Sequence, residues 1–166
     1  AGLTGQWNDL PTNSSTLGSV VETNSAASPL TINAGSGTVT FSGAVGGNKA
    51  IDALNVTATT IAIDGGGVTT EGLQTYTGNV TLGAAATTLT QTDATTDFTV
   101  AANKSITNSS GGDAALTIKT TGAIILDTSS SITSSTGALD TILWADTDGA
   151  GGGYVQLNES APITTN

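Results

Sequence analysis

Two aspartates at alternate positions are followed by four glycines in the segment Asp146-Thr-Asp148-Gly149-Ala-Gly-Gly-Gly153. Aspartate oxygens followed by glycine can wrap around Ca²⁺, which binds about six to eight oxygen ligands. Asp140 would add a further oxygen if the chain folds back on itself. The alternative is a glycine-rich turn in which the aspartates cap their own backbone. We favour the capped turn and expect no cofactor, and structural calcium held by Asp140, Asp146 and Asp148 is the alternative.

Two aromatic residues near the same segment, Trp144 and Tyr154, could stack on a sugar ring. Trp144 follows Leu143, so it points outward if Leu143 points inward. An exposed tryptophan suits contact with a glycan or with a neighbouring subunit. The alternative for these rings is packing against an adjacent loop. Trp144 and Tyr154 are therefore the candidate ligand-binding residues.

Paired carboxylates that could cleave a glycosidic bond occur at Asp93 and Asp97, with Asp64 preceding three glycines. Polysaccharide-cleaving sites usually combine such acids with Arg, Lys, His and aromatic platforms in one groove. This chain has no arginine, no histidine and six aromatic residues. We therefore expect solvated acids, no catalytic residue and no enzymatic activity.

Composition excludes several other functions. The 166 residues include 13 acidic side chains and three lysines, for a net charge of −10. Nucleic-acid binding needs clustered basic residues, so no nucleic-acid partner is expected. Without cysteine or histidine the chain can form no disulfide, no Cys/His metal site and no histidine-based catalytic pair. The longest uncharged stretches are rich in Thr, Gly and Ser, so membrane insertion is not expected either.

The absence of both cysteine and methionine suits a secreted protein that avoids oxidisable side chains. The expected location is therefore extracellular, at a bacterial cell surface. The chain starts at Ala1-Gly2-Leu3 without a methionine, as expected of a processed form or a fragment.

Short strands are the elements that must position these residues. Apolar residues recur at a spacing of two, separated by Gly, Asn, Asp, Ser and Thr. This alternation predicts strands with one apolar face inward and with Thr, Asn or Gln outward. The clearest pairs are Leu30/Ile32, Val39/Phe41, Leu54/Val56, Ile61/Ile63, Val80/Leu82, Phe98/Val100, Leu116/Ile118, Ile124/Leu126 and Val155/Leu157.

The strands recur in groups of three over about 20–30 residues, as in the coils of a solenoid. An all-β fold, a parallel β-helix (β-solenoid), is therefore predicted for residues 30–166. Residues 1–29 are less regular and are expected to form a cap, an edge or a linker. A β-sandwich is the alternative, but hairpin signals are scarce and the apolar residues are small.

Two segments resemble filamentous haemagglutinin-like bacterial exoproteins, which are large repetitive adhesins. One is Val68-Thr-Thr-Glu-Gly-Leu-Gln-Thr-Tyr-Thr-Gly-Asn-Val-Thr-Leu82. The other runs from Ile132 to Leu139 and continues from Leu143 to Gly153. The resemblance covers about residues 30–166. It implies a right-handed parallel β-helix and a secreted protein of the cell surface.

The sequence thus favours a structural role, as a stalk or filament-forming segment of an extracellular adhesin. Open solenoid ends are unpaired strand edges, so end-to-end self-association or stacking of neighbouring solenoid coils is expected. The alternative is a glycan-binding adhesin module that contacts cell-surface glycans through Trp144 and Tyr154. A polysaccharide-active enzyme is the third and less favoured class.

Overall fold

The computed structural model describes residues 6–8, 14–23, 26–93 and 95–165. This part of the chain is all-β, and every strand pair in it is parallel. It contains no helix, and so none that is long and apolar enough to cross a membrane. The predicted parallel β-solenoid is confirmed, and the β-sandwich alternative fails because a sandwich is built from antiparallel strands. The right-handed coil that the resemblance implies stays a prediction.

The described residues form sixteen strands. In chain order they are β1 (Gln6–Asn8), β2 (Ser15–Leu17), β3 (Leu30–Asn33), β4 (Thr38–Phe41), β5 (Leu54–Ile63), β6 (Gly67–Thr70), β7 (Gln74–Leu82), β8 (Ala86–Gln91), β9 (Phe98–Val100), β10 (Ser105–Asn108), β11 (Ala114–Thr120), β12 (Ile124–Leu126), β13 (Ser131–Ser134), β14 (Leu139–Trp144), β15 (Val155–Leu157) and β16 (Ile163–Thr164).

These strands stack into three sheets that run along the solenoid. Sheet A has nine strands, with the path β1-β3-β5-β7-β10-β13-β16 and with β2 and β4 beside it. Sheet B has the order β14-β11-β8-β6, and sheet C the order β15-β12-β9. The ten-residue β5 pairs with β3 through its first half and with β4 through its second half. Each coil is thereby held to the next by backbone hydrogen bonds.

The core consists of columns of inward-facing side chains, because parallel pairing places equivalent residues of successive coils above one another. Burial alternates along the strands, as in β5 and β11, which is the pattern that the apolar spacing predicts. Two of these columns run from coil to coil through the described solenoid. Column A contains Ser15, Val39, Ile61, Val80, Ile106, Ile132 and Ile163. Column B contains Val20, Val45, Val68, Leu89, Ile118 and Leu143.

Some polar residues also face the interior, which corrects the expectation that Thr, Asn and Gln point outward. Thr70, Gln91 and Thr120 are in register on successive strands of sheet B and are at most 1% exposed. Gln74 and Asn108 are buried in sheet A. The period of two fixes which face a residue occupies, and at these positions polar residues occupy the inward face.

Part of the predicted irregular segment 1–29 continues the stacked sheets. β1 pairs with β3, β2 pairs with β4, and Val20 bridges to Val45. Residues 1–5, 9–13, 24 and 25 of that segment lie outside the described residues. The domain boundary at residue 30 stays a prediction.

Candidate functional site

The aspartates of the segment from Asp146 to Gly153 cap their own loop. Asp146 has a φ of 56°, and its Oδ1 accepts a hydrogen bond from Gly151 N at 2.9 Å. Asp148 Oδ1 accepts one from Ala150 N at 3.2 Å. Both carboxylates therefore satisfy the backbone of the turn between β14 and β15, which is the alternative that the sequence favoured.

Asp140, the third candidate calcium ligand, belongs to β14 and not to this turn. It is exposed on the outer face of β14, where it pairs in register with Ala115. The described residues contain no group of three or more acidic side chains placed to hold a metal ion. Asp140, Asp146 and Asp148 therefore do not form one ligand set in this structure, and structural calcium stays an untested alternative.

Trp144 faces outward at the end of β14, while Leu143 packs against the core, as their alternation predicts. The indole is 52% exposed, and Ile142, on the same outer face, is 55% exposed. Lys119 is the register partner of Trp144 on β11, and its Nζ lies 5.3 Å from the ring centroid. This distance is within the range of a cation–π interaction. The outer face of sheet B thus carries Trp144, Ile142 and Lys119 close together at its C-terminal edge.

Tyr154 lies beside a different sheet from the one that contains Trp144. It directly precedes β15 of sheet C, its side chain is 51% exposed, and its carbonyl oxygen accepts a hydrogen bond from Ile124 N at 2.8 Å. The Asp146–Gly153 turn separates it from β14. The two candidate sugar-stacking residues therefore belong to one coil but to two of its faces.

The carboxylates considered for glycosidase chemistry bind backbone groups. Asp97 Oδ1 accepts a hydrogen bond from Ala123 N, in the next coil, at 2.8 Å. Asp93 Oδ1 accepts hydrogen bonds from the backbone N and the hydroxyl of Thr95, both at 3.2 Å. Asp93 therefore stabilises its own turn, and Asp97 links two coils. Enzymatic activity is not tested by this geometry.

The last coil exposes residues that equivalent positions in earlier coils bury. Val155 is 41% exposed, although it is in register with the fully buried Ile124 and with Phe98. Leu157 is 50% exposed, although it is in register with Leu126. Sequence reasoning could not find this feature, because these residues follow the same alternation as every buried pair.

The edge strands explain this exposure. Among the described strands, β14, β15 and β16 each pair on one side only, with β11, β12 and β13. Five of the seven exposed large hydrophobic residues of the described part lie in this coil: Ile142, Trp144, Tyr154, Val155 and Leu157. Ile142 and Trp144 are exposed because they face outward from β14, whereas Val155 and Leu157 are exposed because no described strand covers β15 on its second side.

A small cleft lies where sheet C begins beside sheet A. Tyr76 and Val80 of β7 line it together with Phe98 and Val100 of β9. The cleft has a volume of about 10 Å³, which has room for about one water molecule and excludes a sugar. The Tyr76 hydroxyl donates a hydrogen bond to Gln74 Oε1 at 2.9 Å, and burial raises the pKa of this hydroxyl above its usual range. The cleft is therefore a structural junction.

Comparison with family models, with curated proteins and with solved structures finds no match to this chain.

Proposed function

We propose that this chain is a structural segment of an extracellular bacterial adhesin, a β-solenoid that serves as a stalk or filament unit at the cell surface. The observation that carries the proposal is the pair of columns that run from coil to coil through the whole described solenoid. Such a stack resists extension because each coil is held to its neighbours by backbone hydrogen bonds and by apolar contacts. The mechanism is mechanical and uses no cofactor.

The interior supports this role. In column A, Val39, Ile61, Val80, Ile106 and Ile132 are at most 2% exposed. Side chains link coils as well, since Asp97 binds Ala123 N and Asp113 Oδ1 accepts a hydrogen bond from Ala138 N at 2.9 Å. These links join residues 26 and 25 positions apart, close to the length of one coil.

The exterior supports an extracellular setting. A net charge of −10 keeps such a chain soluble and repels nucleic acid and anionic lipid. The chain has no cysteine and no methionine to oxidise. These properties suit a rod that stands in an oxidising medium and contacts its partners through a restricted surface.

The test is surface display in the bacterium that makes the protein. An antibody against the chain is expected to label intact cells, and protease treatment of intact cells is expected to remove the signal. A Gly78→Ala substitution in the chromosomal gene is expected to lower both surface labelling and cell adhesion, because its Cβ would collide with the Ala58 carbonyl oxygen of the adjacent coil. Gly112→Ala is the matched control, since its Cβ would meet no atom within 4 Å. Labelling of permeabilised cells alone would refute the extracellular role.

A glycan-binding adhesin module is the second candidate. It is favoured by the exposed indole of Trp144, which lies beside Lys119 and Ile142 on the outer face of sheet B. A pyranose ring could stack on the indole while the threonines of the neighbouring strands donate hydrogen bonds. A glycan array with the wild type, Trp144→Ala and Tyr154→Ala tests this function. Binding that both substitutions leave intact would remove the proposed contacts.

Catalysis is not part of the proposal. Incubation with acidic and neutral polysaccharides is expected to give no products. Turnover that Asp93→Asn or Asp97→Asn abolishes would instead establish an enzyme.

A further inference from the structure

We propose that the outer face of sheet A binds the surface of an ice crystal, a function separate from the stalk role above. The binding surface, termed the hydroxyl face, consists of two columns of outward-facing side chains on β4, β5, β7, β10 and β13. Each of these strands pairs with a described strand on both of its sides. The hydroxyl face therefore runs along the side of the solenoid, on coils that other coils already cover above and below.

Parallel register brings hydroxyl-bearing residues of successive coils together, although the number of residues between them varies along the chain. The first column of the hydroxyl face contains Thr40, Ala62, Thr81, Thr107 and Thr133. The second column lies two residues earlier on each strand and contains Thr38, Thr60, Asn79, Ser105 and Ser131. All ten residues alternate with buried ones, so they point away from the core.

The spacing of these side chains forms a regular lattice. Neighbouring strands of a sheet lie about 4.8 Å apart, and residues two apart on one strand are separated by about 6.6 Å. These two distances are close to the repeats of the water oxygens on a prism face of ice. The Oγ1 atoms of Thr107 and Thr133 lie 3.3 Å apart, within hydrogen-bond distance. A hydroxyl both donates and accepts hydrogen bonds, as a water molecule in ice does, so such an array can continue a water lattice.

The distribution of charge separates the hydroxyl face from the rest of the surface. None of the 13 acidic side chains and three lysines lies in β3, β4, β5, β7, β10 or β13. By contrast, Lys119 and Asp140 lie on the outer face of sheet B. A charged group is costly to remove from its own hydration shell, which does not fit a neutral water lattice. A face without charge therefore suits ice.

The side chains of the hydroxyl face also distinguish ice from other partners. The ten positions carry only Thr, Ser, Asn and Ala. A sugar surface would be met by aromatic rings, and a protein interface is usually anchored by aromatic residues or arginine. The hydroxyl face has neither, whereas threonine offers a hydroxyl for the lattice and a methyl group that leaves water on contact. The backbone ladders hold these groups in place, so little ordering is needed on binding.

The experiment uses the purified 166-residue chain and a seed crystal of ice. Nanolitre osmometry measures thermal hysteresis, the gap between the melting and freezing temperatures of the crystal. A fluorescently labelled chain is tested in parallel for incorporation into growing ice. We expect measurable hysteresis and incorporation of the label. Exclusion of the label without hysteresis would overturn the proposal. Binding to microcrystalline cellulose or chitin without incorporation into ice would also overturn it, and would assign the face to a polysaccharide crystal.

Thr81→Lys is the first test variant, because Thr81 lies at the centre of the first column. It is expected to lower thermal hysteresis about tenfold, since the ammonium group would lose its hydration against ice. Thr88→Lys is the matched control: Thr88 is also an outward, partly exposed strand residue, but it belongs to sheet B. Its hysteresis should equal that of the wild type. Circular dichroism checks that both variants fold, and equal losses in the two would contradict the proposed face.

Ala62→Thr is the second test variant, because Ala62 is the one position of the first column without a hydroxyl. Completing the column is expected to raise thermal hysteresis above that of the wild type. Ala86→Thr, which adds a threonine to the outer face of sheet B, is the matched control and should cause no rise. Wild-type hysteresis in Ala62→Thr would contradict the column. Ice binding by a protein confined to the cytoplasm would refute the stalk role alone, whereas surface labelling without ice binding would refute this inference alone.

Discussion

The side-chain amide of Asn108 donates a hydrogen bond to the carbonyl oxygen of Thr136, in the next coil, at 2.7 Å. The same Nδ2 also reaches Gly112 O at 2.9 Å and Ser134 Oγ at 3.1 Å, while Oδ1 accepts from Ser110 N. Asn108 is fully buried. One side chain thereby satisfies backbone groups of two coils at the turn between sheets A and B.

Replacing this amide is expected to destabilise the fold. Asn108→Ala should lower the free energy of unfolding by about 1–3 kcal/mol, because the hydrogen bonds that the buried amide donates to Gly112 O and Thr136 O are lost. Urea unfolding followed by circular dichroism measures the change. The matched control is Asn33→Ala: Asn33 also ends a strand and binds the backbone two residues on, at Gly35 N, but is exposed. A loss at Asn33 as large as that at Asn108 would show that the coil-to-coil bonds contribute little.

Close approach of two coils at Gly78 gives the second prediction. A Cβ there would collide with the Ala58 carbonyl oxygen, which belongs to the neighbouring strand and cannot move independently. Gly78→Ala is therefore expected to lower the free energy of unfolding by about 1–3 kcal/mol. Gly112→Ala, which meets no atom within 4 Å, should leave the melting temperature nearly unchanged. Thermal unfolding of both purified variants decides the point, and equal melting temperatures would contradict the collision.

The strands and the fold class could be predicted from the sequence because a single local rule governs them. In a parallel solenoid the alternation at Val39/Phe41 or Ile61/Ile63 fixes both the strand and its inward face. The approximate coil length also follows from the recurrence of equivalent pairs, although the spacing varies from coil to coil. Trp144 was placed outward by the same rule.

The surroundings of individual side chains depend on which strands are neighbours and in which register they pair. The alternation along one strand does not determine this. Gln91 was expected to face outward with the other polar residues, yet its register with Thr70 and Thr120 places it inside. Asp140 was a candidate partner of Asp146, yet it lies on the outer face of β14. Val155 has the same local pattern as Ile124, and only its place at an open edge exposes it.

The interior of sheet B provides the third prediction. Gln91 is 1% exposed, and neither its Oε1 nor its Nε2 bonds to any group of the described residues. Gln91→Met is expected to raise the free energy of unfolding by about 1 kcal/mol, because an amide buried without a partner is replaced by an apolar chain of similar shape. Urea unfolding measures the effect.

Gln74 is the matched comparison for Gln91. It is also buried, but its Nε2 donates to Thr90 O at 2.8 Å and its Oε1 accepts from the Tyr76 hydroxyl. Gln74→Met should therefore lower the free energy of unfolding by about 1–3 kcal/mol. The same sign for both substitutions would mean that hydrogen bonding does not separate the two sites.

The last prediction is that the ionisation of Tyr76 makes the free energy of unfolding depend on alkaline pH. Burial raises the pKa of its hydroxyl in the folded chain, while the unfolded chain ionises near the ordinary tyrosine value of 10.0. Above that pH the unfolded state binds fewer protons, so the free energy of unfolding should fall as pH rises. Tyr76→Phe should be about 1 kcal/mol less stable at neutral pH, since the bond to Gln74 is lost, but should lose less stability on going to alkaline pH. Tyr154→Phe, whose ring is half-exposed, controls for removing a hydroxyl as such. Urea unfolding from pH 7 to alkaline pH measures all three proteins, and a Tyr76→Phe curve parallel to that of the wild type would refute the role of this buried hydroxyl.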